Sequence, residues 1–200
     1  MKSSEPKSED SRAEATQLFM RFRAIPTLGL SLVWLLSVGH GRAQESQPTE
    51  YEIKAALLFN FAKFVEWPPA AFARATSPIV IGILGQNPFR DDLARMIRDK
   101  TIDDHPLVIK EFRSPAEATN CHILFISTSE KKRLPEILEA LKGASVLTVG
   151  ETDGFTETGG MINFVLEGTK IHFQINKDAA TSARLKISSK LMSLASSTAR

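Results

Sequence analysis

Two carboxylates could act as a general base in this 200-residue chain. Glu66 closes an apolar helical stretch just before Trp67, and Glu151 follows an apolar run. A carboxylate becomes a useful base when burial raises its pKa towards neutrality. The helix-end position of Glu66 favours an exposed, ionised carboxylate instead. His105, His122 and His172 show neither i, i+4 spacing nor an HExxH motif, so they predict no metal set. His122 and His172 fall in strands, where structural roles are the default. Cys121 is the one cysteine, which excludes an intrachain disulfide framework and any multi-cysteine metal site. Asn120-Cys121-His122 opens an apolar run, so the thiol is expected to be buried at a strand start.

Phosphate and acyl chemistry find no support either. Gly82-x-x-Gly85 lacks the third glycine and the acidic partner of a dinucleotide fingerprint, and neither GxxxxGK[ST] nor GxSxG occurs. The reading is a protein that is not an enzyme, with no catalytic residues, no metal and no cofactor. What remains is aromatic. Phe59, Phe61, Phe64 and Trp67 crowd one helix end. Both a packed core and an interface or apolar ligand slot use rings in this way. Phe59 shares its helix face with Glu52, Ala56, Lys63 and Glu66, which marks Phe59, Lys63, Glu66 and Trp67 as candidate partner- or ligand-binding residues.

The elements that position these groups follow from periodicity. Thr49 and Glu52 form a capping box opening a helix from about Glu50 to Val65, stopped by Trp67-Pro68-Pro69. Tyr51, Ala55, Leu58, Ala62 and Val65 give it an apolar stripe, widened by Ile53, Leu57, Phe61 and Phe64. Ile79–Leu84, Leu107–Phe112, His122–Ile126 and Ser145–Val149 read as strands. Asn87 and Pro88 open a helix through Ile97, Pro115–Ala118 form a short helix, and another runs from Leu134 to Leu141. This alternation predicts an α/β fold: a three-layer α/β/α sandwich on a mostly parallel sheet. Met161–Leu166 and Lys170–Ile175, joined by Glu167-Gly168-Thr169, add an antiparallel C-terminal hairpin. Asn176 or Asp178 then caps a last helical stretch, broken near Leu185 and ending by Ala195. Gly160 is expected to need backbone freedom at the approach to the Met161 strand.

Ligands of open α/β sheets bind beyond the carboxyl ends of the strands. Here those ends carry Gly85-Gln86-Asn87, Ser127-Thr128-Ser129 and Gly150-Glu151-Thr152. A small polar ligand and ordinary turns and caps both call for such residues, and both readings stand.

The N-terminus reads as an address. Arg21 and Arg23 precede the apolar run Ile25–Val38, and Gly41-Arg42-Ala43 supplies small residues for cleavage. The run is shorter than the roughly 20 residues of a spanning helix. Residues 1–43 are therefore expected to be an extension and secretory signal peptide cleaved near Ala43, with Met20 an alternative start. Residues 44–200 then form one exported domain in the periplasm. Removing 1–43 takes six Lys/Arg and four Asp/Glu from totals of 25 and 23, which leaves a formally neutral chain. Neutrality argues against nucleic acid as a partner.

Two segments resemble the YfiR-like family of exported bacterial proteins. One is the run Tyr51 to Pro68, YEIKAALLFNFAKFVEWP. The other begins Gly159-Gly160-Met161-Ile162-Asn163-Phe164-Val165 and continues through Phe173–Asn176 to Leu185–Leu191. Cys121–Ser127 is similar to the family's middle strand. The resemblance implies a compact, commonly dimeric α/β/α domain. It also implies a negative regulator that restrains a membrane-bound diguanylate cyclase through its periplasmic part, lowering cyclic-di-GMP and biofilm formation. The second segment adds Asn163 to the candidate binding residues. With Cys121 alone, disulfide-based redox control does not transfer. A periplasmic small-molecule sensor or carrier without a cyclase partner is the alternative.

Overall fold

In a computed structural model of the chain, residues 48–195 and 197–199 are described. The expected signal segment, residues 1–43, lies outside them. Helix α1 (Glu50–Phe64) starts as its sequence dictates. The Glu52 N–H donates to Thr49 Oγ1 at 3.2 Å, and the Thr49 N–H donates to Glu52 Oε2 at 2.7 Å. Strand β1 (Val65–Glu66) follows directly, then β2 (Ile79–Leu84), α2 (Asp92–Ile97), β3 (Thr101–Ile102), β4 (His105–Phe112) and β5 (Ile123–Ile126). The second half holds α3 (Leu134–Ala140), β6 (Leu147–Gly150), β7 (Ile162–Glu167), β8 (Lys170–Asn176), α4 (Lys177–Ser182), β9 (Lys186–Ile187), α5 (Ser189–Leu194) and β10 (Ser197–Ala199). Short 3-10 turns cover Pro69–Ala71, Pro115–Asn120 and Thr128–Arg133.

The main sheet has the order β10-β8-β7-β6-β5-β2-β4-β3. Strands β4, β2, β5, β6 and β7 run parallel to their neighbours in this series. The hairpin β7–β8 is antiparallel, with Phe164 opposite Phe173 and Gly168 at φ +62° in its turn. Alternation along the strands sorts the core onto two faces. Ile79, Ile81, Ile83, Ile123, Phe125, Leu147, Val149, Ile162 and Phe164 pack with α1, α2 and residues of α4 and α5. Val80, Leu84, Leu124, Ile126 and Val146 pack with α3, Ala118 and Phe155 on the other. The three-layer α/β/α architecture is present.

Two local expectations are corrected. Helix α2 begins at Asp92, not near Pro88. Asn87 Oδ1 instead accepts the Phe89 N–H at 3.0 Å, and Arg90 sits at φ +50°, which a helix cannot contain. Gly160 does not have positive φ. A Cβ there would lie 2.1 Å from the Phe155 ring, so close packing, not backbone freedom, requires glycine.

The parallel order places the reversal of sheet growth between β2 and β5, where open α/β folds form a crevice. Ser129 fills it: Gln86 N–H donates to its Oγ at 2.9 Å, and a Cβ on Gly85 would lie 2.4 Å from that oxygen. Ser127 Oγ caps the following turn, and Asn87 Nδ2 donates to Glu111 at 2.7 Å. The strand ends at Gly85 and Ser127 thus act as turns and caps.

Candidate functional site

The end of α1 is pinned by chain from the C-terminal region. Val65 leaves helical geometry at φ −114°, ψ 133°, and pairs antiparallel with Ile187, as Glu66 does with Lys186. The Ser188 N–H donates to the Phe64 carbonyl at 2.9 Å. The chain then presents Trp67 half-buried, its Nε1–H donating to the His122 carbonyl at 3.1 Å. Phe72 stacks between two imidazoles, 4.3 Å from the His105 ring centroid and 4.6 Å from that of His122. His105 Nδ1 meets the Ser77 carbonyl at 2.6 Å, as donor. A cleft of about 380 Å³ opens here, lined by Lys63, Glu66, Trp67, Phe72, Asp103 and His105.

His122 is 4% exposed. The Val80 N–H donates to its Nδ1 at 3.0 Å, so the proton of the neutral ring sits on Nε2, which has no hydrogen-bond partner. Burial, with the nearby His105 charge adding to it and the Ala71 backbone opposing, pushes its pKa down to about 4. The ring is neutral at physiological pH.

The remaining expected site residues divide. Phe59 is half-buried, with Lys63 Nζ 5.6 Å and Lys100 Nζ 4.6 Å from its ring centroid. Lys63 and Glu66 face solvent, and Glu66 lies 4.0 Å from Lys186 Nζ with both side chains about 80% exposed, a pairing of little energetic weight. The fold thus gathers Phe59, Lys63, Glu66 and Trp67 at one end of α1. Asn163 is elsewhere. It alternates with Ile162 and Phe164, which pack towards α1, so it points to the opposite face of the sheet. It is 3% exposed, and its Oδ1 has no hydrogen-bond partner.

Sequence reasoning missed Lys54. Its Nζ is buried between Glu50, with which it forms a short contact, and Glu151 Oε2 at 2.6 Å. It also lies 4.7 Å from the Tyr51 ring centroid. Burial pulls the ammonium pKa down, but hydrogen bonds and charge from Glu151 and Glu50 outweigh it, and the net shift is upward. The signal was present in part: Glu50 and Lys54 stand at i, i+4. Glu151, ninety-seven residues away, gave none. The two carboxylates considered as bases are therefore engaged differently, Glu151 in a buried ion pair and Glu66 in water. Among the described residues no group of acidic, histidine and cysteine side chains could hold a metal ion, and no helix is long and apolar enough to cross a membrane.

Against known proteins, a conserved domain protein from Vibrio cholerae O1 biovar El Tor matches with a TM-score of 0.52 at 14% identity. The match covers 77% of this chain and 62% of that one, so this chain spans less than two thirds of that structure, and the likeness concerns the fold. An ABC domain from Streptococcus pneumoniae, solved in complex with L-Trp, matches at TM-score 0.42 and 11% identity over 60% of this chain and 55% of that one. No curated protein matches. The family described as YfiR/HmsC-like matches residues 51–196, from the first turn of α1 past the end of α5. The chain therefore belongs to the YfiR/HmsC-like family.

Proposed function

We propose that this protein is a negative regulator of a membrane-bound diguanylate cyclase, exported to the periplasm after cleavage near Ala43. It acts by binding the cyclase's periplasmic part. Family membership over residues 51–196 carries the reading. The end of α1 is the surface that suits it. Half-buried rings beside exposed charges are the composition of interface cores and rims. Phe59 and Trp67 supply the rings, and Lys63 and Glu66 the exposed charges.

Deleting the gene, with the linked cyclase expressed, should raise intracellular cyclic-di-GMP. Complementation with the wild-type gene should lower it again. Complementation with K63E/E66K should leave it high while the protein accumulates normally, because both positions are exposed. An unchanged cyclic-di-GMP level on deletion overturns the regulatory reading. Full complementation by the charge-reversed variant moves the contact away from α1.

A further inference from the structure

Arg184 occupies a position that backbone geometry favours for glycine. Its N–H donates to the Thr181 carbonyl at 2.9 Å, and the Leu185 N–H donates to the Ala180 carbonyl at 2.9 Å. This pair of bonds is the Schellman ending of α4, whose residue past the helix takes left-handed backbone. Arg184 has φ +62°. Glycine adopts that conformation freely, whereas an L side chain is strained in it. The strained side chain does not serve the carbonyls of α4. One guanidinium N–H reaches the Gly143 carbonyl at 3.0 Å, in the turn between α3 and β6. No carboxylate pairs with Arg184 among the described residues.

Arg184 lines a second cleft, of about 260 Å³, shared with Asn120, Cys121, Ser145, Pro68 and Ala71. No acidic side chain lines it. The Asn120 amide and the Ser145 hydroxyl make no hydrogen bond within the described fold. Burial pushes the Cys121 thiol up to about 12, so it contributes a neutral wall and no competing anion. A guanidinium has five N–H donors in a planar fork matched to a carboxylate, and Gly143 occupies one of them.

We propose that this cleft binds a carboxylate-bearing small ligand, with Arg184 forking onto the carboxylate and Asn120 and Ser145 supplying further hydrogen bonds. The volume is below that of drug-sized pockets, which suits a compact organic acid or the last residue of a peptide. The site stands apart from the cyclase reading and does not depend on it.

The test titrates purified, ¹⁵N-labelled protein with succinate, trialanine and trialanine amide. Readouts are the amide and Arg side-chain resonances and the melting temperature. Succinate or trialanine should move the Asn120, Ser145 and Arg184 signals and raise the melting temperature, while the amide should do neither. A response to succinate assigns a free acid. A response to trialanine alone assigns a peptide C-terminus. R184G removes the guanidinium and relieves the left-handed strain. It should keep or raise the unliganded melting temperature and weaken carboxylate binding at least tenfold. An arginine that only staples α4 to the α3–β6 turn would instead lower that temperature on substitution and show no carboxylate response. Absence of any response, equal response to the amide, or undiminished binding by R184G overturns the proposal.

Discussion

Lys54 shows how a single side chain can be both costly and indispensable. Taking an ammonium out of water costs several kcal/mol, and only close, well-placed counter-charges offset it. Glu151 provides one at 2.6 Å, with the two side chains 5% and 7% exposed. Removing the cation alone leaves Glu151 buried without its partner. K54M should therefore destabilise the protein by about 3–5 kcal/mol in urea denaturation. K54M/E151Q should recover most of that loss, because the orphaned charge is gone. If the double variant is as unstable as K54M, packing of the lysine stem outweighs its charge.

At the scale of elements, the loop from Glu151 to Gly160 is held by one ring. Phe155 is fully buried and lies over Gly150 and Gly160, where added Cβ atoms would meet it at 2.3 Å and 2.1 Å. These contacts let the crossover from β6 return tightly into β7. G160A should destabilise by about 1–3 kcal/mol through overpacking, and F155L in the same chain should restore part of the loss. Equal stability of G160A and wild type in thermal melts would show that the ring moves aside without cost. The α1 capping box is a contrasting case. Its partners lie three residues apart, and the sequence alone predicted it.

At the scale of the molecule, His122 couples folding to pH. It bridges the start of β5 to the first residues of β2 through Val80, and to the segment after α1 through Trp67 and Phe72. Its pKa is near 6.5 in an unfolded chain and about 4 here, so the unfolded state binds the proton more readily. The stabilisation is fully present above about pH 6.5 and is lost as pH falls towards 4. The melting temperature should drop between pH 7 and 5. In H122N, whose Oδ1 can still accept from Val80, it should start lower and change less over that interval. Parallel slopes in the two proteins would remove His122 as the titrating group.

Local physics made much of this fold legible. Caps, breakers and hydrophobic periods act within about four residues, and they announced α1, the parallel strands, the β7–β8 hairpin and the buried Cys121, and narrowed the cap of α4 to Asn176 or Asp178, of which the fold uses Asn176. The clustering of Phe59, Lys63, Glu66 and Trp67 was also legible, because all four lie within nine consecutive residues at and just past the end of α1. Chain-distant pairings were not. Strand order, the Lys54–Glu151 pair, the Phe72 stack between His105 and His122, and the position of Asn163 on the far face from α1 arise when segments tens of residues apart dock. Arg184 shows the limit most plainly. Its type is in the sequence, but only the folded chain gives it a left-handed backbone and a cleft without a counter-charge. Short-range preferences choose the elements, whereas desolvation and packing between distant elements choose which side chains meet.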